Sequence, residues 1–266
     1  MQINGIILAN EQIYPSYYKM IIEAPEIAAR AEAGQFVHIR CTKGNYPLLR
    51  RPLSLHRIEK NTGKVVLLYK IVGEGTAILS KFHTGEAIDL LGPLGNGFAI
   101  PENIKHALLV AGGMGIVPLY ALAEKLISMS VKTTLCYGAR NAGELFCLDD
   151  FAALGIDIAT VTDDGSSGKR GYVTDLLADI TNSNNFDYVY LCGPRPMLRA
   201  AVRLCLKKKL SGQVSLEEYM ACGIGACLGC VCKIKPAHRD PYNEWVYKKV
   251  CSDGPVFLLD EVIIDE

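Results

Sequence analysis

The chain has 266 residues, 28 basic and 28 acidic side chains that balance to a formal net charge of +0, and a composition that is 50% hydrophobic. That balance removes the basic footprint of a protein that grips a nucleic-acid backbone, and the hydrophobicity excludes intrinsic disorder. The length suits one large domain or two to three smaller ones.

Residues 1–10 carry no basic lead into an apolar core, so no secretory signal is visible and a cytoplasmic location is expected. From there to about Pro101, short β-type runs at 35–41, 52–57, 64–72 and 87–91 alternate with glycine-containing turns at 61–63, 73–75 and 92–95. Phe36, His38 and Arg40 alternate with Val37, Ile39 and Cys41, the period of a strand. Residues 1–101 are therefore expected to form a small antiparallel β-barrel domain. Within it, Arg51-Pro52-Leu53-Ser54 sets a permanent cation, a rigid bend and a hydroxyl within four residues. Gly75-Thr76 sits in a glycine turn that leads into a short helix from Ala77. Each of these also reads as an ordinary barrel turn.

From 102 to 210 the pattern changes. Apolar strands at 107–111, 133–137, 156–161 and 188–191 are separated by helical stretches at 117–127, 142–154, 173–180 and 196–209. This alternation predicts a Rossmann-like parallel sheet with helices on both faces, which binds ligands at the carboxyl ends of its strands. The longest stretch without a charge, 107–123, falls short of the ~20 residues of a bilayer span. Gly112, Gly113, Gly115 and Pro118 also interrupt it, so no membrane association is expected. Those three glycines follow a strand and open a helix, where backbone N–H groups suit a pyrophosphate. A second glycine turn, Cys192-Gly193-Pro194, ends another strand of the same sheet, and the two together predict a nucleotide cleft.

Residues 211–266 follow neither pattern and hold half of the ten cysteines. Cys41, Cys136, Cys147, Cys192 and Cys205 are scattered and read as small buried hydrophobes. Cys222, four residues, Cys227, two residues, Cys230 and a later Cys251 match the plant-type spacing of a [2Fe-2S] centre. Gly223, Gly225 and Gly229 let the loop fold tightly and turn N–H groups toward sulfur. Zinc is the competitor, although zinc ribbons use two separated C-x2-C pairs and only Cys227 and Cys230 have that spacing. Cys232 is a fifth thiol that an extended chain would place on the same face as Cys230.

Arg-Pro-x-Ser at 51–54, Gly-Gly-x-Gly at 112–115, Cys-Gly-Pro-x-Pro-Met at 192–197 and the cysteine pattern resemble the ferredoxin–NADP reductase superfamily. Within it, Glu217-Glu218-Tyr219-Met220-Ala221-Cys222-Gly223 and Lys249-Val250-Cys251-Ser252-Asp253-Gly254-Pro255 resemble the electron-transfer subunits of NAD-dependent, class 1B dihydroorotate dehydrogenases over essentially the whole chain. The resemblance implies an FAD domain (1–101), an NAD domain (102–210) and a [2Fe-2S] domain (211–266), with Cys222, Cys227, Cys230 and Cys251 as ligands. It places Arg51 near the FAD phosphates, Pro52, Leu53 and Ser54 along the flavin, Leu68, Tyr69 and Lys70 lining it, and Gly75-Thr76 at its pyrophosphate. NAD, the electron acceptor, would lie against Gly112, Gly113, Gly115, Cys192 and Gly193. Leu53 stands where the wider superfamily has an aromatic, and the aromatic that covers the flavin in single-domain reductases is replaced by the cysteine region.

A centre that carries single electrons beside a flavin that can pair them predicts a one-electron to two-electron converter. None of the five histidines lies in an acid–base or metal motif, so no catalytic acid or base is assigned. The resemblance also implies an FMN-containing catalytic partner subunit, assembled as a heterotetramer of two plus two chains. Thr162-Asp163-Asp164-Gly165, after the third sheet strand, would repel a 2′-phosphate and favour NAD over NADP, although Arg140 lies near the same cleft in the fold. Two other readings stay open: a subunit of a flavin-dependent ferredoxin–NAD(P) reductase or sulfide dehydrogenase, and a non-catalytic nucleotide sensor with structural zinc. The acidic tail, 260–266, reads as a solvated end or as a partner contact through its apolar triplet.

Overall fold

A computed structural model describes residues 1–236 and 244–264. The loop beyond Pro236 with His238, and the last two acidic residues of the tail, lie outside the described residues. The first unit contains β1 (Gln2–Tyr14), β2 (Tyr17–Glu23), α1 (Pro25–Arg30), β3 (Phe36–Ile39), β4 (Arg51–Glu59), β5 (Lys64–Lys70), α2 (Glu74–Leu79) and β6 (Ala87–Leu94). Its strands close into an antiparallel barrel in the order β1-β2-β5-β4-β3-β6. β3 to β6 correspond to the expected runs. β1 and β2 were not among them, yet β1 pairs with both β2 and β6 and so removes the open edge. Only Gly5 and Ile7 of β1 are buried, and two register shifts interrupt its pairing with β2, so its period-2 signal is weak. Strand alternation sends Val37, Ile39, Leu55, Val65, Leu67 and Tyr69 into one core with Ile27 of α1 and Leu79 of α2. α2 starts three residues ahead of Ala77 because Thr76 Oγ1 accepts the N–H groups of Val72 and Gly73 at 3.0 and 3.3 Å.

The second unit is built from β7 (His106–Gly112), α3 (Ile116–Ser128), β8 (Lys132–Ala139), α4 (Leu148–Ala153), β9 (Asp157–Thr162), β10 (Lys169–Arg170), α5 (Val173–Ser183), β11 (Tyr188–Cys192) and α6 (Arg195–Lys207). All its strand pairings are parallel. Ala107, Leu109 and Ala111 of β7 pack with α3 and Phe151 of α4, while Leu108 and Val110 pack with α5 and α6. The helix expected over 142–154 is instead a single 3-10 turn at Ala142–Glu144 followed by the short α4. Tyr137 explains the break: its hydroxyl donates to Glu144 O at 3.1 Å and accepts Phe146 N–H at 3.2 Å, and Cys147 turns left-handed (φ 60) to start α4.

The last region supplies β12 (Gly212–Ser215), β13 (Val231–Ile234), β14 (Val246–Lys249), β15 (Val256–Leu258) and β16 (Val262–Ile263). β12 pairs in parallel with β11, and β15 pairs antiparallel with β12, completing a sheet of order β10-β9-β8-β7-β11-β12-β15. A boundary at 210 therefore does not part the sheet from the cysteine region, because two strands from beyond it finish the sheet. β13 lies between β14 and β16 in a small separate sheet. The barrel seats on the same region: Asn96 N–H donates to Gly254 O at 2.6 Å and its amide donates to Asp253 O at 3.0 Å. Among the described residues no helix is long and apolar enough to cross a membrane.

Candidate functional site

Residues 222–230 form a loop between β12 and β13, and Cys251 follows β14. Gly223 (φ 71), Gly225 (φ 83) and Leu228 (φ 59) are left-handed, a backbone form that gathers N–H groups on one side. The N–H of Gly225 donates to Cys251 Sγ at 3.2 Å, those of Ile224 and Cys227 to Cys222 Sγ at 3.5 and 3.4 Å, that of Gly229 to Cys227 Sγ at 3.4 Å, and that of Cys251 to Cys230 Sγ at 3.4 Å. Each of the four expected ligands thus receives at least one amide donor. The side chains of Cys222 and Cys227 contact one another, as do those of Cys230 and Cys251. Burial opposes the Cys222 thiolate, but N–H donation from Ile224 and Cys227 outweighs it and lowers its pKa. Burial and the contact with Cys230 raise that of Cys251.

This pairing bears on which metal group fits. Zinc–sulfur bonds of about 2.3 Å in a tetrahedron hold all sulfurs about 3.8 Å apart. Among the described residues, the set of three ligand atoms lying within 4.8 Å of one another is His56, Cys147 and Asp150, and none of the four loop cysteines belongs to it. Contacts within each pair, with no compact set of three sulfurs, fit a two-iron centre better than a single zinc. A second observation agrees. Among the described residues, the buried side-chain nitrogen and oxygen atoms without a hydrogen-bond partner are His38 Nδ1, His38 Nε2 and Ser252 Oγ. Two of the three abut the loop: a Cβ on Gly223 would lie 2.5 Å from His38 Nδ1, and one on Gly225 would lie 2.8 Å from Ser252 Oγ. Unpaired buried polar atoms mark a place where a further group belongs. Cys232, close enough to Cys230 to feel its charge, accepts none of the loop's amide donors. It is buried in the core shared with α6 and β13, and burial, with Glu218 nearby, pushes its thiol up to about 12.

At the barrel, Arg51 and Gly75 meet. A Cβ on Gly75 would sit 2.5 Å from Arg51 Nε, so the glycine makes room for the guanidinium at the start of α2. Arg51 Nη1 donates to Leu49 O at 2.6 Å. Tyr46, Leu48, Leu49 and Val72 are exposed around this spot, an apolar rim suited to a flat cofactor that the sequence motifs did not include. Pro52, Leu53 and Ser54 on β4 are all half-buried. The three β5 residues divide by alternation. Leu68 packs on the α3 side, whereas Tyr69 points into the barrel, where its hydroxyl donates to Asn10 Oδ1 at 2.9 Å, so only its backbone faces outward. Lys70 Nζ donates to Tyr17 OH at 2.8 Å, and the Tyr17 ring packs 4.5 Å from Phe146 of the second unit.

At the sheet, the connection after β7 leads to β8 on one side, and the connection after β11 leads to β12 on the other. This reversal is the topological switch point at which such sheets bind ligands. The two glycine turns meet there. A Cβ on Gly115 would strike the Cys192 carbonyl, a Cβ on Gly112 would strike the Met197 sulfur, and Gly113 (φ 52) faces open space. Cys192 itself is buried, and burial raises its thiol pKa, so it offers backbone rather than a side chain. After β9, Asp164 Oδ1 accepts Ser166 N–H and Oγ–H at 2.9 and 2.6 Å, which lowers its pKa and keeps a carboxylate beside the cleft. Asp164 N–H donates to Arg140 O at 3.2 Å, which fixes the turn against the end of β8.

Comparison with known proteins agrees with this geometry. Residues 217–263 match the iron-sulfur cluster binding domain of dihydroorotate dehydrogenase B, and residues 109–203 match an oxidoreductase NAD-binding domain. The dihydroorotate dehydrogenase B (NAD(+)) electron transfer subunit of Geobacillus sp. (strain WCH70) is 42% identical over 97% of each chain, and that of Bacillus mycoides (strain KBAB4) is 40% identical over 98% of each. The structure of an NADH-dependent reduced ferredoxin-NADP oxidoreductase that carries out flavin-based electron bifurcation superposes with a TM-score of 0.86 at 30% identity, covering 98% of this chain and 90% of that one. A ferredoxin NADP+ reductase from Neisseria gonorrhoeae, with bound FAD and NADP, shares the fold at TM-score 0.67 and 20% identity over 77% of this chain and 91% of that one. On near-full-length identity of 40–42%, together with the cysteine loop, the chain belongs to the family of electron transfer subunits of NAD-dependent dihydroorotate dehydrogenase B.

Proposed function

We propose that this chain is the electron-transfer half of a dihydroorotate-oxidising enzyme, carrying electrons from a catalytic partner to NAD+. The observation that carries this reading is the two-pair thiol cradle, supplied with amide donors and held against the barrel by Asn96. When bound, a [2Fe-2S] centre carries single electrons and FAD combines them into the hydride that NAD+ accepts. The chain's own residues bind and orient these groups. Cys222, Cys227, Cys230 and Cys251 hold the cluster, Arg51 and Gly75-Thr76 hold the FAD pyrophosphate, and Pro52, Leu53, Ser54, Leu68, the Tyr69 backbone and Lys70 flank its ring. Gly112, Gly113, Gly115, Cys192 and Gly193 shape the NAD site, where the Asp163 and Asp164 carboxylates disfavour a 2′-phosphate.

Electron entry is at the cluster. Cys227 is exposed, and Tyr219 (95% exposed), Ile224 (58%) and Leu228 (63%) surround it. Such an apolar rim is suited to burial against another protein. The partner is an FMN-containing dihydroorotate dehydrogenase subunit, assembled with this chain two plus two in the cytoplasm. The test is to co-purify the two chains, record flavin and iron–sulfur absorbance, and assay dihydroorotate-dependent reduction of NAD+ against NADP+. An assembled pair in which dihydroorotate reduces neither flavin refutes the reading, and a colourless, zinc-containing chain supports a sensor instead.

A further inference from the structure

His38 is fully buried, and neither ring nitrogen makes a hydrogen bond of good geometry, although the ring lies within reach of the Cys222 backbone. Burying a polar group unpaired costs kilocalories, so this imidazole is either a defect or a donor to something that completes the site. Its position decides between these. On β3, Val37 and Ile39 point into the barrel core, and His38 points the other way, opposite Pro52 of β4 in the strand pairing. There the ring lies against Gly223, between Cys222 and the strand that carries Arg51 and Ser54. Arg50 Nη1 binds the His38 carbonyl at 3.4 Å and Asp89 at 2.9 Å, which fixes the backbone beneath the ring. Ser252 Oγ, the remaining orphan, approaches the loop at Gly225, next to Cys251. The two orphaned side chains thus reach the loop at different glycines, one beside each sulfur pair.

We propose that His38 and Ser252 complete the polar shell of the cluster, His38 by donating a ring N–H to sulfur on the Cys222 side and Ser252 by donating its hydroxyl on the Cys251 side. His38 acts as a positioning residue. It ties the cluster loop to the β3–β4 strands that carry the flavin motif, so one side chain sets both the spacing of the two redox groups and the electron affinity of one of them. An N–H donated to sulfur favours the more negative, reduced state, so its loss lowers the reduction potential. This proposal rests on the cluster assignment made above. The two fail differently: a holoenzyme without an iron–sulfur electron paramagnetic resonance (EPR) signal sinks the assignment, while the outcomes below concern His38 and Ser252 alone.

The test uses holoenzyme labelled with 15N in its histidine rings and reduced for pulsed EPR. A 15N coupling to the cluster is expected in the wild-type protein and its absence overturns the proposal, a result that requires no variant to fold. His38→Leu and His38→Asn should both remove that coupling with iron content unchanged. In an EPR-monitored redox titration, His38→Leu and Ser252→Ala should each shift the midpoint downward, whereas His38→Asn, which keeps an N–H donor, should stay nearer wild type. A coupling that survives in His38→Leu, or midpoints unchanged in both His38→Leu and Ser252→Ala, refutes the assignment of these donors.

Discussion

Gly75→Ala isolates the phosphate-binding role proposed for Arg51. The new methyl would sit 2.5 Å from Nε, 2.7 Å from Cζ and 2.8 Å from Nη2 of Arg51, so the guanidinium must leave its present position. Gly75 carries no positive φ, and the atoms displaced belong to the end of a flexible side chain, so the fold is expected to tolerate the change with under about 1 kcal/mol of destabilisation. The loss should appear in FAD binding. A charge-assisted hydrogen bond to a phosphate contributes about 1.5–3 kcal/mol, which corresponds to a Kd for FAD weakened by about 10- to 150-fold. The assay is quenching of flavin fluorescence on titration into deflavinated protein, run for Gly75→Ala, Arg51→Ala and the double variant. If both act through one guanidinium, the double variant should bind little worse than Arg51→Ala alone. Fully additive losses, or an unchanged Kd in Gly75→Ala, would refute the reasoning.

Three further outcomes are expected. Cys251→Ser should lose cluster absorbance, whereas Cys232→Ala should keep it and cost about 1–2 kcal/mol in denaturant unfolding for a small core cavity; loss of iron in Cys232→Ala would reverse the ligand choice. Gly115→Ala drives a methyl into the Cys192–Gly193 backbone, which cannot give way cheaply, so both the melting temperature and NAD(H) affinity should fall, with about 1–3 kcal/mol of overpacking read by calorimetry. His56, buried where β4 meets α3 with Nδ1 3.1 Å from Val117 O, has its pKa lowered by burial from 6.5 to about 4. The unfolded chain then binds a proton that the folded chain refuses. Its contribution to stability is complete above pH 6.5 and declines as the pH falls toward 4, by up to about 3 kcal/mol. His56→Phe should flatten that part of the urea-unfolding profile, and an unaltered slope would show that another group causes it.

The motifs legible in the sequence are those whose chemistry is local. The Cys222–Cys230 spacing, the glycines at 112–115 and Arg51-Pro52-Leu53-Ser54 each sit within a few residues, and each lies at a strand end or loop where its reading placed it. The helix expected over 142–154 does not form because Tyr137, on a neighbouring strand, takes up Glu144 O and Phe146 N–H, two groups that would have continued it. The resemblance places Tyr69 with Leu68 and Lys70 along the flavin, and period-2 alternation, which turns its side chain into the barrel, leaves the Tyr69 backbone for that role. His38 went unassigned because nothing around it in sequence marks it, and its partner in space, Gly223, is far along the chain. One signal was present: a histidine within the otherwise apolar run 36–39.

The sequence by itself offered the Cys222–Cys230 spacing, the order of the barrel, sheet and cysteine regions, and the family resemblance that proposes Cys251 as the fourth ligand, because glycine turns, thiol spacing and strand period are short-range properties. Only the tertiary structure decided that the sulfurs fall into two pairs, that β12 and β15 complete the sheet, that Cys232 is a core residue, and that His38 and Ser252 converge on the cluster loop. Those are relations between residues brought together by packing across long stretches of chain, and no local pattern encodes them. The ten cysteines divide accordingly: spacing and resemblance propose four as ligands, Cys232 is buried beside them, and four of the scattered five are buried, Cys147 being only half-buried.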